Sequence, residues 1–185
     1  MTERSRALVT GAGGFIGHHL TSYLKSLGYW VRGVDIKAPE FEPSQADDFQ
    51  LLDLRRPESA RAACDGIMEV YNLAANMGGI AFIERYKAVV MHDNVLINVH
   101  MLEAARAQGV RRYLYTSSAC IYPGYRQQAA DVTPLKEEDA YPADPEDGYG
   151  WEALLRAPVP ALLRGVRPGD PGGSLPQHLR PAGHL

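Results

Sequence analysis

Three glycines, Gly11, Gly14 and Gly17, lie three residues apart directly after a short apolar run, and such a cluster can hold a phosphate group. Residues 6–10 predict a strand, and the apolar residues of segment 15–27 recur near a 3.6-residue period, which predicts a helix. A glycine cluster between a strand and a helix is the context in which a dinucleotide is bound. Gly11 would permit the tight turn. Gly14 would admit a pyrophosphate to the helix N-terminus, and Gly17 would bring helix and strand close together.

Two acidic residues follow at the ends of further apolar runs. Residues 29–34 predict a second strand that ends at Asp35, about 20 residues beyond the glycines, where an acid would accept hydrogen bonds from the ribose hydroxyls. An acid there favours NAD over NADP, although neighbouring Lys37 weakens that preference. Asp53 lies near the end of a third run, residues 49–54, and could face the adenine. The alternative interpretation of the cluster of Gly11, Gly14 and Gly17 is a glycine-rich surface turn.

Composition limits the classes to which the chain can belong. Its 185 residues, of which 45% are hydrophobic and 22% charged, fit one globular domain. A formal net charge of −3 argues against a general nucleic-acid binder, which needs a basic surface. The sequence has no apolar run long enough to span a bilayer, no signal peptide at its start and no metal-type cysteine spacing. We therefore expect a reduced, cytoplasmic protein with no metal site and no membrane partner.

Strand-like and helix-like segments alternate up to Glu152, which predicts a doubly wound α/β fold with a mostly parallel sheet and helices on both faces. Residues 1–152 would form an incomplete dinucleotide-binding domain. From Ala153 to Leu185 the chain contains no Ile, Phe, Tyr, Trp, Met, Lys or Glu. Its six prolines would break any long helix or central strand. Residues 153–185 are therefore expected to be an irregular tail.

The Gly-x-x-Gly-x-x-Gly spacing resembles that of the extended short-chain dehydrogenase/reductase family, which includes NAD-dependent epimerases and dehydratases. Segment 71–75 resembles the family's fourth strand, and segment 112–118 resembles its fifth, which ends at the catalytic serine. Asn94, in a predicted helix over residues 88–108, matches an asparagine that ties that helix to the sheet. The resemblance implies a Rossmann fold that binds NAD. With the residues argued above, the expected cofactor contacts are Gly11, Gly13, Gly14, Phe15, Ile16, Gly17, Asp35, Asp53, Leu54, Leu73, Ala74, Ala75, Asn94, Ser117 and Tyr149.

Four stretches are more specific, because residues 74–79, 117–123, 136–140 and 142–150 closely resemble the GDP-mannose 3,5-epimerases. Asn76 is a departure, since aspartate is more usual there. A sugar C–H is far too weak an acid for a protein base. The resemblance implies that C4 is first oxidised to a ketone, which acidifies the hydrogens at C3 and C5 through the enolate. C4 is finally reduced again, so no cofactor is consumed.

The same resemblance gives roles to three residues. Tyr149, as a phenolate, would take the proton of the C4 hydroxyl, and Ser118 would hydrogen-bond that oxygen. Cys120 would exchange a proton at carbon, which suits a thiol because the ordinary thiol pKa, about 8.5, lies near neutrality. Alternatively, Tyr149 is a packed tyrosine and Cys120 an inert core residue. The implied substrate contacts are Met77, Gly78, Gly79, Ser118, Ala119 and Cys120, although the two glycines could form an ordinary turn.

The family's catalytic tyrosine is followed four residues later by a lysine, which lowers its pKa and holds the nicotinamide ribose. Here that position is Ala153, the first residue of the tail. Codons for residues 170–182, read one base later, can encode TRVARFHNIYGP, which resembles the family's next substrate-binding strand and loop. The same shifted frame allows Lys-Leu directly after Glu152. We therefore hypothesise a frameshift at this junction that also removes the C-terminal substrate domain, and expect weakened or absent NAD binding and no epimerase turnover.

Other functions stay open at the level of sequence. The alternative enzyme is a sugar-nucleotide 4-epimerase or 4,6-dehydratase, although the dehydratases usually place an Asp-Glu pair where this chain has Ala119 and Cys120. A non-enzymatic alternative is a nucleotide-binding or interaction module whose tail is a genuine disordered extension that binds a partner. The expected ligand is a sugar nucleotide similar to GDP-mannose. The family resemblance also implies a homodimer formed through a four-helix bundle, to which helix 88–108 would contribute.

Overall fold

The computed structural model describes residues 4–40, 42–126, 134–145 and 150. Within these ranges the chain alternates strands and helices, as the sequence predicts. The main elements are β1 (Arg6–Thr10), α1 (Phe15–Ser26), β2 (Trp30–Asp35), β3 (Asp48–Leu51), α2 (Pro57–Cys64), β4 (Glu69–Asn72), α3 (Ile80–Arg85), α4 (Lys87–Ala107) and β5 (Arg112–Tyr115).

The strands form one sheet in the order β3-β2-β1-β4-β5, and all neighbouring pairs are parallel. The chain moves outward from β1 through β2 to β3 and then crosses to β4 on the other side of β1. The connections therefore diverge above the carboxyl ends of β1 and β4. A crevice at such a reversal of strand order is where open α/β sheets bind ligands. The predicted doubly wound, mostly parallel α/β fold is confirmed.

Strand β1 is buried on both faces, which places it at the centre of the core. Leu8 packs into an apolar cluster with residues of α2 and α4, such as Ala60 and Met101. Val9 faces the opposite side and packs with Leu24 of α1. A continuous apolar run is the pattern expected of a parallel strand covered by helices on both faces. The core thus holds the carboxyl end of β1 at a fixed depth beneath the crevice.

Thr10, the last residue of β1, joins the ends of the two strands that border the crevice. Its hydroxyl donates to Asn72 Oδ1 at 2.8 Å and accepts from the amides of Leu73 and Ala74 at 3.0 Å each. Asn72 in turn donates to Asn98 Oδ1 of α4 at 3.0 Å. Because these groups are buried or half-buried, each bond also satisfies a polar group removed from water. The floor of the crevice is therefore fixed to both the sheet and α4.

The predicted segments agree closely with the elements, except at some strand ends. β1 has the predicted bounds, β2 is displaced by one residue, and α4 lies within one residue of the prediction at each end. β5 ends at Tyr115 instead of reaching Ser118, because its partner β4 ends at Asn72, which pairs with Tyr115. Among the described residues, no helix combines the length and apolar character needed to cross a membrane. The tail, residues 153–185, lies outside the described residues.

Gly17 gives a direct test of how α1 is held on the sheet. A Cβ at this position would overlap the carbonyl oxygen of Gly11 and lie 2.8 Å from Cα of Ala12. Because the obstructing atoms are backbone, we expect Gly17→Ala to lower the free energy of unfolding by about 2–3 kcal/mol, measured by urea denaturation. Gly79→Ala is the matched control, since no atom lies within 4 Å of the added Cβ, and it should cost less than about 1 kcal/mol. Equal losses in the two variants would contradict this account of the contact.

Candidate cofactor and active site

The glycine turn connects β1 to α1 and leaves the helix N-terminus open. Gly11 has a φ of +67°, and a Cβ there would lie 3.0 Å from the carbonyl of Leu73 across the crevice. Gly14 is the N-cap of α1, so no side chain caps the first helical amides, and the first turn contains no acidic residue. Free amides and the positive end of the helix dipole attract an anion. The turn therefore has the geometry of a phosphate site.

Asp35, the last residue of β2, is held against this turn. Its Oδ2 accepts from the amide of Gly13 at 2.9 Å, and its Oδ1 accepts from the amide of Lys37 at 3.2 Å. A Cβ on residue 13 would overlap the Lys37 carbonyl oxygen, so only glycine fits there. The Lys37 side chain turns outward and pairs with Glu40 at 2.6 Å. The carboxylate of Asp35 is thus oriented next to the glycine turn, where it can also accept hydrogen bonds from hydroxyl groups.

A cleft of about 420 Å³ lies above the carboxyl ends of β1 and β4. It brings together residues from the glycine turn, from the ends of β2 and β3, and from the segment after β4. Nine of its lining residues were predicted from sequence as cofactor or substrate contacts: Gly11, Gly14, Asp35, Asp53, Leu54, Leu73, Ala74, Ala75 and Met77. The size and polarity of the cleft suit a nucleotide.

Other predicted cofactor residues lie near the cleft without lining it. Gly13 and Phe15 border a neighbouring cavity of about 400 Å³ on the outer side of the turn. Ile16 is 68% exposed at the start of α1. Gly17 is buried where α1 meets the turn. Asn94 is fully buried, and its Oδ1 accepts from the amide of Asn76 at 2.6 Å, so it fixes the segment after β4 instead of bonding to a strand.

Sequence reasoning missed an ionic cluster on one wall of the cleft. Arg55 lies between Asp53 and Asp93, and all three residues line the cleft. Hydrogen bonds from the Arg55 guanidinium hold the pKa of Asp53 below its ordinary value. Burial alone would raise the pKa of Asp93, but hydrogen bonds from His92, Arg55 and Asn76 outweigh burial and lower it. Both carboxylates are therefore ionised at neutral pH, and no local pattern in the sequence indicates that residues 55 and 93 pair.

Asn76, which departs from the aspartate usual in the resembling family, has a structural explanation. Its side-chain amide donates to Asp93 Oδ2 at 3.0 Å. An aspartate at position 76 would bring a second carboxylate to that distance, and like charges so close disfavour ionisation. The amide therefore favours an ionised Asp93, because it donates where an aspartate would repel.

Ser118 and Cys120 lie on the segment after β5, beyond the described cleft. Ser118 has an extended backbone, and its hydroxyl accepts from the amide of Cys120 at 3.2 Å, where a short 3₁₀ turn begins. Ser117, Ala119 and Cys120 share this segment, and Cys120 is exposed. Gly150 packs against it, since a Cβ on Gly150 would overlap the Cys120 carbonyl oxygen. Tyr149, the predicted catalytic tyrosine, lies outside the described residues.

The predicted substrate contacts after β4 occupy a short connection between β4 and α3. Met77 is 46% exposed and lines the cleft. Gly78 lies beneath Phe82, because a Cβ there would be 2.7 Å from the phenyl ring. Gly79 is the N-cap of α3 and has open space beside it. The connection therefore presents backbone and one flexible apolar side chain at the edge of the cleft.

The two cysteines differ in a way that thiol labelling can measure. Cys64 is fully buried, and burial raises its pKa to about 12, whereas Cys120 is exposed. Only the thiolate reacts rapidly with a disulfide reagent, so we expect one thiol per native chain to react at pH 8 and the second only after unfolding. Cys120→Ser should abolish the native reaction, and Cys64→Ala should leave it unchanged. Rapid labelling of both thiols in the native chain would contradict this prediction.

Comparison with known proteins agrees with this geometry. The model of the NAD dependent epimerase/dehydratase family matches residues 7–152. GDP-mannose 3,5-epimerase 1 of Oryza sativa subsp. japonica is 46% identical over 155 residues, which cover 83% of this chain and 41% of that protein. The GDP-mannose 3,5-epimerase of Arabidopsis thaliana is 44% identical over the same shares. The chain thus spans about two fifths of the length of these relatives.

A solved structure extends the comparison to a cofactor complex. The crystal structure of the Thermus thermophilus UDP-glucose 4-epimerase in complex with NAD is 25% identical and has a TM-score of 0.68, covering 81% of this chain and 48% of that one. The fold, the glycine turn and the sequence match lead to one assignment. The chain belongs to the NAD dependent epimerase/dehydratase family, within the extended short-chain dehydrogenases/reductases, and the cofactor of this family is NAD.

Proposed function

We propose that this chain is the NAD-binding part of a nucleotide-sugar epimerase of the GDP-mannose 3,5-epimerase type. The observation that carries the proposal is the cleft that the glycine turn, Asp35, Asp53 and the 73–77 segment line together. The relatives named GDP-mannose 3,5-epimerase support the substrate class, because this chain is 44–46% identical to them along its aligned length. The match to the family ends at Glu152, the residue before the change in composition, which supports the proposed division into residues 1–152 and 153–185.

The described residues fit the adenylate and pyrophosphate half of NAD. Gly11 and Gly14 keep side chains out of the turn, so phosphate oxygens can reach the amides at the start of α1. Asp35 would accept the ribose hydroxyls, while Asp53 and Leu54 would border the adenine. The residues proposed for the nicotinamide half, among them Tyr149, lie outside or at the edge of the described part. Because Ala153 replaces the lysine expected one turn after Tyr149, we infer that the nicotinamide half is held weakly.

The proposed chemistry divides its steps among three side chains. When bound, NAD would supply the oxidant for C4 of the hexose and then the reductant that restores it. Tyr149 would accept the proton of the C4 hydroxyl, and Ser118 would donate a hydrogen bond to that oxygen. Cys120 would remove or return a proton at the carbon next to the ketone. The exposed thiol and the neighbouring Ser118 hydroxyl, joined through the Cys120 amide, support this arrangement.

A second copy of the chain is the proposed protein partner. Helix α4 exposes apolar side chains, including Val89 at 52% and Val99 at 47%. An apolar stripe on a long helix suits packing against another helix. The family resemblance supports α4 as one helix of a four-helix interface between protomers.

Cofactor preference gives a test of Asp35 that does not need turnover. We expect the chain to bind NAD more tightly than NADP, since an ionised carboxylate repels the 2′-phosphate. Asp35→Asn should change the NADP-to-NAD ratio of dissociation constants by about tenfold in favour of NADP, which corresponds to about 1.4 kcal/mol. Isothermal titration calorimetry measures both constants. Asp139→Asn, at a residue that does not line the cleft and that pairs with Arg126 at 2.7 Å, is the matched control. An unchanged ratio in Asp35→Asn would refute the ribose assignment.

Turnover is expected to be absent even where NAD binds, because Ala153 cannot lower the pKa of the tyrosine as a lysine would. Incubation with GDP-mannose and NAD in D2O, followed by NMR, detects any deuterium that enters at C3 or C5. The Arabidopsis thaliana GDP-mannose 3,5-epimerase serves as positive control. Deuterium incorporation or a new epimer with this chain would disprove its proposed inactivity. Tight NAD binding without exchange would favour a nucleotide-binding module over a degraded enzyme.

A further inference from the structure

Asp93 occupies the first turns of α4, where it is almost removed from solvent. Its side chain is 8% exposed, and Oδ2 accepts from Arg55 Nη1 at 2.9 Å and from Asn76 Nδ2 at 3.0 Å. Its other oxygen lies 3.1 Å from His92 Nδ1. One carboxylate thus connects α4 with two of the chain segments that line the cleft, the one that contains Arg55 and the one that contains Asn76. A buried charge with this many donors is stabilised only while they remain in place.

Arg55 connects Asp93 to the proposed adenine site. Its Nε and Nη2 donate to the two oxygens of Asp53 at 2.9 and 2.8 Å, while Nη1 donates to Asp93. The Arg55 amide also donates to Asp53 Oδ1 at 3.0 Å. Guanidinium groups that use several donors at once fix the orientation of the carboxylates they bind. Asp93 therefore binds Nη1 of the Arg55 guanidinium, whose other two nitrogens, Nε and Nη2, orient Asp53.

The hydrogen bonds among the described residues leave one acceptor position on Asp53. A carboxylate has about four lone-pair sites, two on each oxygen. The two bonds from Arg55 to Oδ1 fill that oxygen, and Oδ2 receives one bond. Because Asp53 lines the cleft, the remaining site on Oδ2 is available to a donor in the cleft, such as the exocyclic amino group of adenine.

We propose that Asp93 is a positioning residue for the base of the cofactor. Its carboxylate binds Arg55 and Asn76, and through Arg55 it orients Asp53 toward the 6-amino group of adenine. This inference rests on the proposed binding of NAD. Asp93 borders the cleft but is only 8% exposed, so we assign it a role that acts through Arg55 and Asp53. Without its charge, Arg55 would be held by Asp53 alone, and the two side chains could turn together away from the base.

The 6-position of the base provides a readout that a merely structural role would not change. Adenosine diphosphate carries a 6-amino donor, whereas inosine diphosphate carries a 6-oxo acceptor that would face the Asp53 carboxylate. We expect the full chain to prefer adenosine diphosphate about tenfold by calorimetry, since a hydrogen bond to a charged group is lost in the inosine compound. Asp93→Asn should reduce that preference to about twofold.

Exchange of the two side chains tests the geometry itself. Asn76→Asp alone should also reduce the preference, because it places two carboxylates together. The double variant Asn76→Asp/Asp93→Asn restores one carboxylate and one amide, and should recover a preference within about twofold of the original. Asp139→Asn, which changes the same groups in an ion pair that does not line the cleft, should leave the preference intact.

The outcomes separate the two proposals. Absence of binding of NAD and of both diphosphates by the unaltered chain would refute the proposed function, and this inference with it. If the unaltered chain binds these nucleotides and Asp93→Asn keeps the original preference for adenosine diphosphate, only the role of Asp93 is refuted. The same holds if the preference of the double variant stays as low as that of Asp93→Asn. If thermal melting shows that Asp93→Asn does not fold, Arg55→Gln removes the same Arg55–Asp93 ion pair by changing a side chain that is 44% exposed. We expect this variant to lose the preference for adenosine diphosphate to the same extent.

Discussion

Close approach of two backbone segments at the carboxyl ends of β1 and β4 is the constraint on which the site depends. Gly11 can lie against the carbonyl of Leu73 only because it has no Cβ and adopts a positive φ. The Thr10 hydroxyl then satisfies the amides of Leu73 and Ala74. The contact sets the depth of the crevice and the direction in which α1 leaves it. The glycine turn and the 73–77 segment take their positions from that junction.

The charges around the cleft are arranged for a ligand that is itself negative. The first turn of α1 contains no acidic residue, so the positive end of the helix dipole is available to a pyrophosphate, while the Asp35 carboxylate beside it is bound to the Gly13 amide. In the proposed complex, Asp35 and Asp53 are the acids that would accept hydrogen bonds from the hydroxyl and amino donors of the nucleotide. Arg55 offsets the charge of Asp53 without filling its last acceptor site. Anion binding and hydrogen-bond acceptance are therefore separated in space within one cleft.

The part of this site that the sequence predicts is the part made by neighbours in the chain. The glycine spacing and the apolar periodicity predict β1, the glycine turn and α1, because each of these elements depends on residues that are close together in the sequence. The end of β5 was predicted too far along the chain, since a strand ends where its partner ends and no local residue reports that. The Arg55–Asp93 pair was missed for the same reason, because its members are far apart in sequence and meet only after α4 packs beside the sheet.

The two halves of the proposed active site therefore differ in how they are specified. The adenylate half is formed by one β-α-β unit and the loops beside it, and Thr10, Asn72 and Asn94 hold these loops with buried hydrogen bonds. The reacting half needs Ser118 and Cys120 from one segment and Tyr149 from another. Gly150 against the Cys120 carbonyl is the described contact that joins those segments. A change of sequence after Glu152 would thus impair the chemistry first, because the groups proposed to hold the adenylate all lie before it.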